Sequence, residues 1–429
     1  MGKFLFINSL RSKLQKHFDK LVPRSVARSL QILLKVPLFI LAVPSVVLIR
    51  LVRPLILVRV GGLVSFRIGH FAGNTELYCC ERDVGINVPK ERHIDLFFMI
   101  KPVCNRQLAI MWKRKLNILP SWILAPIARV NHLIPGADKH NIGSNTQHDR
   151  DVHNLLDRIG PNLSFSSAEE AFGQTGLEAI GIPPGSEFIC LNVRDSAYLN
   201  EHQVGDWSYH NYRDSNIQDY ILTAEAMANR GYYVVRMGAK VHNSIASTHP
   251  KVIDYAANGM RTDFMDIYLG AKCLFCISTS SGFDAIPTIF RRPIVFVNSL
   301  PIGYSSTFCY KYISITKHHF NTQLDRLMSL AEIFSSGSGF LLSAADYKSK
   351  GIKLIDNTPE EILDVVVEME ERLKGNWQTT DYDEVLQKKF WTIFSIYAVD
   401  NYNQTALHGE IHARFGTAFL RNNFVELLG

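Results

Sequence analysis

The stretch Phe188-Ile-Cys-Leu-Asn-Val-Arg194-Asp195 begins a series of apolar runs, the others being residues 232–238, 273–279 and 293–298. Helical segments separate these runs. Continuous apolar strands alternating with helices predict a parallel sheet that is covered on both faces. Ligands of such sheets bind outside the carboxyl ends of the strands. Polar residues cluster at those ends here, so we expect a ligand site there.

The charge of the chain is concentrated in its first 62 residues. Of the 429 residues, 1–62 contain eleven Lys or Arg and one acid, Asp19, whereas the rest sum to about −4. The length is sufficient for two domains. The nearly neutral body argues against a nucleic-acid-binding protein, which would carry a basic face.

The pattern of residues 1–62 predicts a membrane-associating segment. Basic residues alternate with apolar ones in 3–35, a pattern typical of an interfacial amphipathic helix. The apolar run 36–49 contains Pro37 and Pro44 and is short for a spanning helix. We expect it to dip into one leaflet at the cytoplasmic face of the inner membrane, making the protein peripheral or monotopic. The alternatives are a spanning helix and a helix packed on the domain; no signal peptide is expected.

The seven cysteines predict a reducing compartment, because their number is odd and some lie in apparent core strands. Cys273 and Cys276 have the spacing of a metal or redox motif. However, no second such pair or nearby histidine pair completes a zinc site. We expect both to be core residues.

The remaining segments predict two α/β domains. The first domain is assigned to residues 63–182, with strands at 63–68 and 94–100 and a capped helix at 166–181. Pro183-Pro-Gly185 marks the boundary. The second domain is assigned to 183–345. Closing helices are expected in 346–429, at 358–373, 383–399 and 409–428.

The turn Ser280-Ser281-Gly282 leaves a predicted strand and opens a helix. Its hydroxyls and free backbone N–H groups suit a phosphate. Arg194 and Arg236 end neighbouring strands, and Arg binds phosphate in a bidentate way. The alternatives are an ordinary capped helix and structural ion pairs, for example between Arg194 and Asp195.

Longer motifs give the chain a resemblance to known enzymes. They are RIGHFAGNTE (67–76), YRDSNIQDYI (212–221), RGYYVVRMG (230–238), DFMDIYLGAKCLFCISTSSGFDAIP (263–287), RRPIVFVN (291–298) and ARFGTAFLRNN (413–423). Together they resemble a bacterial glycosyltransferase family of cell-surface polysaccharide loci. The arginine at the strand end and the Ser-Ser turn also resemble the donor half of fucosyltransferase-like GT-B enzymes.

The resemblance implies an α/β, GT-B-like fold of two Rossmann-like domains that face a cleft, with the donor bound by the carboxyl-terminal domain. It also implies that Arg194, Ser280 and Ser281 contact the diphosphate. The chain has Asn192-Val-Arg194-Asp195 where some fucosyltransferases have His-x-Arg-Arg. This difference weakens any assignment of GDP-fucose as the donor.

Candidate bases and substrate contacts come from three places. His70 follows the predicted strand 63–68 and could deprotonate an acceptor, with Asn74 nearby. Asp195 is the rival base. Asp206 and Tyr209 lie in an aromatic stretch that could bind a sugar or base. The alternatives are a structural histidine for His70 and ordinary packing for the aromatic stretch that contains Asp206 and Tyr209.

Metal and dinucleotide motifs are weak. Asp149-Arg-Asp151 precedes a helix and reads as a cap, and no GxGxxG or P-loop occurs. We therefore expect no cofactor and no metal. The sequence predicts a glycosyltransferase that uses a nucleotide-sugar donor and a lipid-linked or polysaccharide acceptor. The alternatives are a non-catalytic membrane-docked module that binds sugar nucleotides, and a nucleotide-sugar-modifying enzyme such as an epimerase.

Overall fold

The structure is a computed structural model that describes residues 36–142, 150–198, 206–399 and 406–429. The predicted basic helix in 3–35 lies outside these residues. The chain forms two compact units. One consists of Met1–Leu63, Pro89–Ile100 and Leu116–Ser144, and the other of Val64–Val88, Lys101–Lys115 and Asn145–Gly429. The four-part division predicted from the sequence stays a prediction.

The first unit contains two parallel strands, β1 (Leu57–Leu63) and β2 (His93–Met99). Arg59 in β1 and Asp95 in β2 form a buried ion pair at 2.5 Å. The strand predicted at 63–68 is wrong, because β1 ends at Leu63, where the predicted strand begins. A partner 36 residues away allows the charged Arg59 to lie inside a strand.

Two helices pack beside these strands, Val36–Leu51 and Ser121–His132. Ala42 and Val46 of the first helix are buried against Leu124, Ile127 and Val130 of the unit. The buried side of Val36–Leu51 therefore agrees with one of the alternative predictions, a helix packed on the domain. Among the described residues, no helix has both the length and the apolar character needed to cross a bilayer.

The second unit contains a parallel sheet of seven strands, which confirms the prediction of a parallel sheet. Its spatial order is β12, β8, β7, β6, β3, β4, β5. The strands are β3 (Phe188–Asn192), β4 (Tyr233–Arg236), β5 (Val252–Ile253), β6 (Cys276–Ser278), β7 (Ile294–Ser299), β8 (Tyr312–Thr316) and β12 (Arg414–Phe415). All residues of β3, β6, β7 and β8 are buried. Burial on both faces explains the continuous apolar runs in the sequence.

A smaller antiparallel sheet of the same unit has the order β10, β9, β11. These strands are β9 (His318–Asn321), β10 (Arg326–Leu327) and β11 (Ile352–Ile355). The sequence analysis did not predict them. Their side chains are mixed in character and only part of them is buried, so their apolar pattern is weak.

Helices cover the sheets of the second unit. They are Thr75–Asp83, Arg106–Lys115, Leu155–Arg158, Ser167–Ala179, Ile221–Asn229, Asp263–Lys272, Ala285–Ile289, Leu330–Ser335, Ala344–Ser349, Pro359–Leu373, Asp381–Phe394, Thr417–Asn422 and Phe424–Leu428. The capped helix predicted at 166–181 is confirmed, with Ser166 as its N-cap, and Thr358 caps the helix predicted at 358–373; each forms a reciprocal capping box with the glutamate three residues later. The single helix predicted at 409–428 is wrong, because β12 occupies its beginning.

Candidate functional site

The strand order of the large sheet reverses next to β3. From β3 the chain continues to β4 and β5 on one side, and then returns to β6, β7 and β8 on the other. Asn192 at the end of β3 pairs in register with Ser278 at the end of β6. In open α/β sheets, the crevice at such a reversal is the usual ligand site.

The turn after β6 has the geometry of a tightly held loop. Ser280 adopts a left-handed backbone conformation, with φ of 59°, and its Oγ lies 2.9 Å from the Oγ of Ser299 at the end of β7. The Oγ of Ser281 accepts a hydrogen bond from the backbone N–H of Phe283. A non-glycine residue in this conformation is held there by its surroundings, and such residues cluster at functional sites.

Three hydrogen bonds connect the end of β6 and this turn to the end of β3. The backbone N–H of Arg194 donates to Oγ1 of Thr279 at 2.8 Å. The amide of Asn192 donates to Oγ of Ser281 at 2.6 Å and to Oγ of Ser278 at 3.1 Å. The structure therefore brings Arg194 and the Ser280–Gly282 turn together, as the sequence indicated. Asn192 and Thr279 were not identified as site residues from the sequence.

The guanidinium of Arg194 is only 9% exposed and pairs with the carboxylate of Asp214. The sequence had offered Asp195 as the partner. Instead, the two carboxylate oxygens of Asp195 accept hydrogen bonds from the backbone N–H groups of Ala197 and His242. Asp195 lines the same cavity as Arg194 but holds its own loop in place.

Arg213 is a second guanidinium in this wall, and sequence reasoning missed it. Burial and the neighbouring Arg194 lower the pKa of Arg213. Its guanidinium lies over the ring of Tyr212, and its Nη2 is 3.4 Å from Nδ1 of His210. Its Nε is buried without a hydrogen-bond partner. Within the described parts of the chain, no carboxylate forms an ion pair with Arg213.

The ring of His210 is surrounded by positive charge. Burial lowers its pKa to about 4, with further lowering by Arg213, Arg194 and Arg67. His210 is therefore neutral near pH 7. The ring of His210 stacks on the ring of Trp207. The guanidinium of Arg67 lies over the Trp207 ring, 5.4 Å from the centroid of that ring. Three guanidinium groups thus converge on one wall.

Asp206 and Tyr209, which the sequence suggested as substrate contacts, do not line the cavity. Asp206 is exposed and accepts a hydrogen bond from the backbone N–H of Ser208. Tyr209 is 42% exposed and packs against His210. Trp207 and His210, from the same stretch, lie in the cavity wall instead.

Asp284 is a buried carboxylic acid at the base of the turn. Its Oδ1 accepts hydrogen bonds from the Oγ of Ser278 and the amide of Asn192, and its Oδ2 accepts one from the backbone N–H of Ser281 at 2.6 Å. Burial raises its pKa to about 7, although these hydrogen bonds and Arg213 act in the opposite direction. A proton on Asp284 is therefore gained or lost close to neutral pH.

His70 and Asn74 also line the cavity, on the helical segment His70–Asn74. His70 does not follow a strand, as had been expected, because β1 ends seven residues earlier. A Cβ added to Gly69 would lie 3.2 Å from the Cα of Gly282. This close approach of two backbones sets His70 beside the turn.

Arg236 lies apart from this cavity. Its side chain is 1% exposed, donates to the carbonyl oxygen of Asn243 and pairs with Asp254 at 3.2 Å. It is absent from the cavity lining. Its position therefore gives no support to a role in phosphate binding, because its charge is already neutralised inside the protein.

One cavity of about 960 Å³ within the second unit is lined by His70, Arg194, His210, Arg213, Asp284 and the Ser280–Gly282 turn. Binding sites for small molecules generally have about 300–1,000 Å³. The cationic side chains of the lining are Arg67, Arg150, Arg194, Arg213, Lys240 and Arg261. Ser280, Ser281 and Gly282 contribute the turn. The cavity is large enough for an extended anionic ligand.

In the described ranges, no group of three or more His, Cys, Asp or Glu side chains is placed so that it could hold a metal ion. The absence of a metal in the reaction stays a prediction. Cys273 and Cys276 are fully buried in the core, as predicted. Asp151 accepts hydrogen bonds from the backbone N–H groups of Leu155 and Leu156 in the first turn of the helix Leu155–Arg158, although the N-cap residue of that helix is Asn154.

Comparison with known proteins gives similarity at the level of solved structures. No family model and no curated protein match the chain. The structure of E. coli ADP-heptose LPS heptosyltransferase II is 13% identical, covers 60% of this chain and 90% of its own, and has a TM-score of 0.40. A glycosyl transferase of family 9 from Veillonella parvula is 12% identical, with coverages of 73% and 96% and a TM-score of 0.42.

A third similar structure is E. coli heptosyltransferase WaaC with ADP-2-deoxy-2-fluoro heptose, at 10% identity, coverages of 60% and 92% and a TM-score of 0.32. All these scores are below 0.5, so the function has to be argued from the geometry of the cavity. The likeness to fucosyltransferases and to a polysaccharide-locus family stays a prediction.

Proposed function

We propose that this protein is a glycosyltransferase that transfers a sugar from a nucleotide-sugar donor to a lipid-linked or polysaccharide acceptor. The observation that carries the proposal is two neighbouring guanidiniums in the cavity wall beside the Ser280–Gly282 turn: Arg194 pairs with Asp214, whereas Arg213 has no carboxylate partner among the described residues. We also propose a GT-B-like arrangement and a location at the cytoplasmic face of the inner membrane.

The charge balance of this wall favours an anionic ligand. Asp214 neutralises Arg194, and Arg213 is left with a buried Nε that has no partner. A buried charge without a partner is costly. A diphosphate would neutralise it and would accept the bidentate hydrogen bonds that guanidinium groups form.

The same groups suit the chemistry of glycosyl transfer. When the bond between sugar and diphosphate breaks, negative charge accumulates on the leaving group. Donors that are already in place stabilise that charge most effectively. Arg194, Arg213 and the hydroxyls of Ser280 and Ser281 would provide such donors next to the position where the charge develops.

The acceptor hydroxyl needs a base, and His70 is the better of the two candidates. Both oxygens of Asp195 already accept backbone hydrogen bonds. His70 lines the cavity beside the turn. We propose that His70 deprotonates the acceptor, with Asn74 as a neighbouring contact, and that Asp195 positions the loop that carries Arg194.

The direct test measures binding of ADP, GDP and UDP by calorimetry, followed by turnover of the corresponding nucleotide sugars. Replacing Arg213 with Gln should weaken binding of the best nucleotide about tenfold to a hundredfold, because a charged hydrogen bond is lost. Arg326→Gln is the control, because that guanidinium is half exposed and pairs with Glu332 on the surface.

The outcomes distinguish the three candidate functions. Donor hydrolysis or transfer that requires Arg194 and Arg213 supports the glycosyltransferase. Nucleotide binding without turnover of any donor indicates a binding module. Conversion of the donor sugar without an acceptor indicates a nucleotide-sugar-modifying enzyme. Equal nucleotide affinity in the wild type and Arg213→Gln contradicts the proposed diphosphate site.

A further inference from the structure

The first unit has an exposed apolar surface that the proposed chemistry does not use. Seven apolar side chains of the helix Val36–Leu51 and the turn after it are exposed by 46% to 79%. They are Ile40, Leu41, Val43, Val47, Leu48, Leu51 and Leu55. Single exposed apolar residues are ordinary, but a continuous patch of this kind marks a binding surface.

The geometry of the helix makes this patch continuous. At 100° per residue, the six exposed side chains of the helix fall within an arc of about 160°, while Ala42 and Val46 point to the opposite side. Those two are buried in the core of the unit. The helix is thus apolar on both sides, and the described part of the chain covers only one of them.

The neighbouring helix Ser121–His132 also has exposed apolar side chains near its two ends. Trp122 at its beginning is 62% exposed, and Leu133 just beyond its end is 83% exposed. The two helices are held together at this end by Arg50, whose guanidinium donates to the side chain of Asn131 at 2.8 Å and to the carbonyl oxygen of Pro135 at 2.7 Å. Leu51 and Leu133 therefore belong to one edge of the unit.

Positive charge accompanies this surface. Exposed Arg53, Arg129 and Lys139 lie near the ends of the two helices, against one exposed acid, Asp138. The 35 residues that lead directly into the first helix contain eight Lys or Arg and one acid. Apolar side chains surrounded by cations match the boundary of a bilayer that contains anionic lipids.

We propose that this surface, which we call the two-helix face (residues 40–55 together with Trp122 and Leu133), docks into the interfacial layer of an anionic membrane. The helix Val36–Leu51 has 16 residues, about 24 Å of length, so it is too short to span the hydrocarbon core of about 30 Å. It would lie in the plane of the membrane. This proposal stands independently of the proposed glycosyl transfer.

The test uses the full-length protein and sedimentation with vesicles, either of phosphatidylcholine alone or with about one third phosphatidylglycerol. Wild type should bind the anionic vesicles. The double variant Leu48→Asn/Leu133→Asn should bind at least about tenfold more weakly, since two apolar side chains no longer enter the bilayer. The matched control is Leu324→Asn/Leu373→Asn, which changes exposed leucines of the second unit.

Two further readouts decide between occupants of the face. The emission of Trp122 should shift to shorter wavelength on vesicle addition, and the Trp122→Phe variant should lose that shift. Equal vesicle binding by wild type and the double variant would assign binding to the basic segment alone and overturn the proposal. A dimer that only the wild type forms, without vesicle binding, would make the face an interface between copies and overturn it too.

Discussion

Replacing Asp284 with Asn should change how the stability of the second unit depends on pH. Asp284 is buried in the wall of the cavity, and burial raises its pKa from 3.8 to about 7. In the unfolded chain its pKa is close to 3.9. The folded protein therefore retains a proton that the unfolded chain has lost. Stability contributed through Asp284 is present below pH 4 and decreases as pH rises toward 7.

The size of this effect follows from the difference between the two pKa values. A rise from 3.8 to about 7 corresponds to about 4 kcal/mol at most. Asn cannot ionise, so Asp284→Asn lacks this dependence. The free energy of unfolding of the wild type, relative to the variant, should fall by about 2 to 4 kcal/mol between about pH 4 and pH 8. Asp284→Asn also alters hydrogen bonds, but that contribution to the free energy of unfolding is the same at both pH values and does not affect the predicted fall.

Urea unfolding followed by tryptophan fluorescence measures the effect in the relevant part of the molecule. Trp122 belongs to the first unit and the other four tryptophans to the second. Both proteins should therefore carry Trp122→Phe, so that the signal reports on the second unit. A difference between the two proteins that stays constant within about 1 kcal/mol across this pH range would refute the reasoning.

Three further predictions concern other contacts. At pH 7.5, binding of ADP should take up a fraction of a proton, because an anion in the cavity raises the pKa of Asp284 further; binding enthalpies that do not vary between buffers would contradict this. Gly69→Ala should destabilise the protein by about 1–3 kcal/mol in urea titrations, whereas Gly160→Ala, whose added Cβ meets nothing within 4 Å, should not. Asp95→Ala should cost about 3–5 kcal/mol by leaving Arg59 buried without its partner, and a double replacement of both by apolar residues should cost clearly less in the same titration.

The sheet of the second unit could be predicted because its physical cause is local. Residues buried on both faces must be apolar, so β3 and β7 stand out in the sequence. The strand β1 could not be located this way. It contains Arg59, and the residue that permits a charge there, Asp95, lies far along the chain. β8 was also missed, because Ser314 and Thr316 interrupt its apolar pattern.

The site could be predicted only in part, because only some of its residues follow a buried strand that the sequence reveals. Arg194 and the turn at Ser280 follow buried strands, and parallel strands bring their ends to one edge. Arg213 ends the short 3-10 helix Ser208–Arg213, where no strand pattern indicates its direction. Arg236 ends a strand as Arg194 does. It differs because Asp254 and the carbonyl oxygen of Asn243 lie within reach of its guanidinium.

The division into units has a consequence for how this protein can be dissected. The chain passes from one unit to the other five times, at residues 63, 88, 100, 115 and 144. No single cut separates them, and a fragment beginning at residue 183 would lack His70, Asn74 and the rest of the wall contributed by 66–77. The segment 66–77 is synthesised early, whereas Leu407 and His408, which line the same cavity, are synthesised near the end of the chain. The cavity is therefore complete only when nearly all of the polypeptide has emerged from the ribosome.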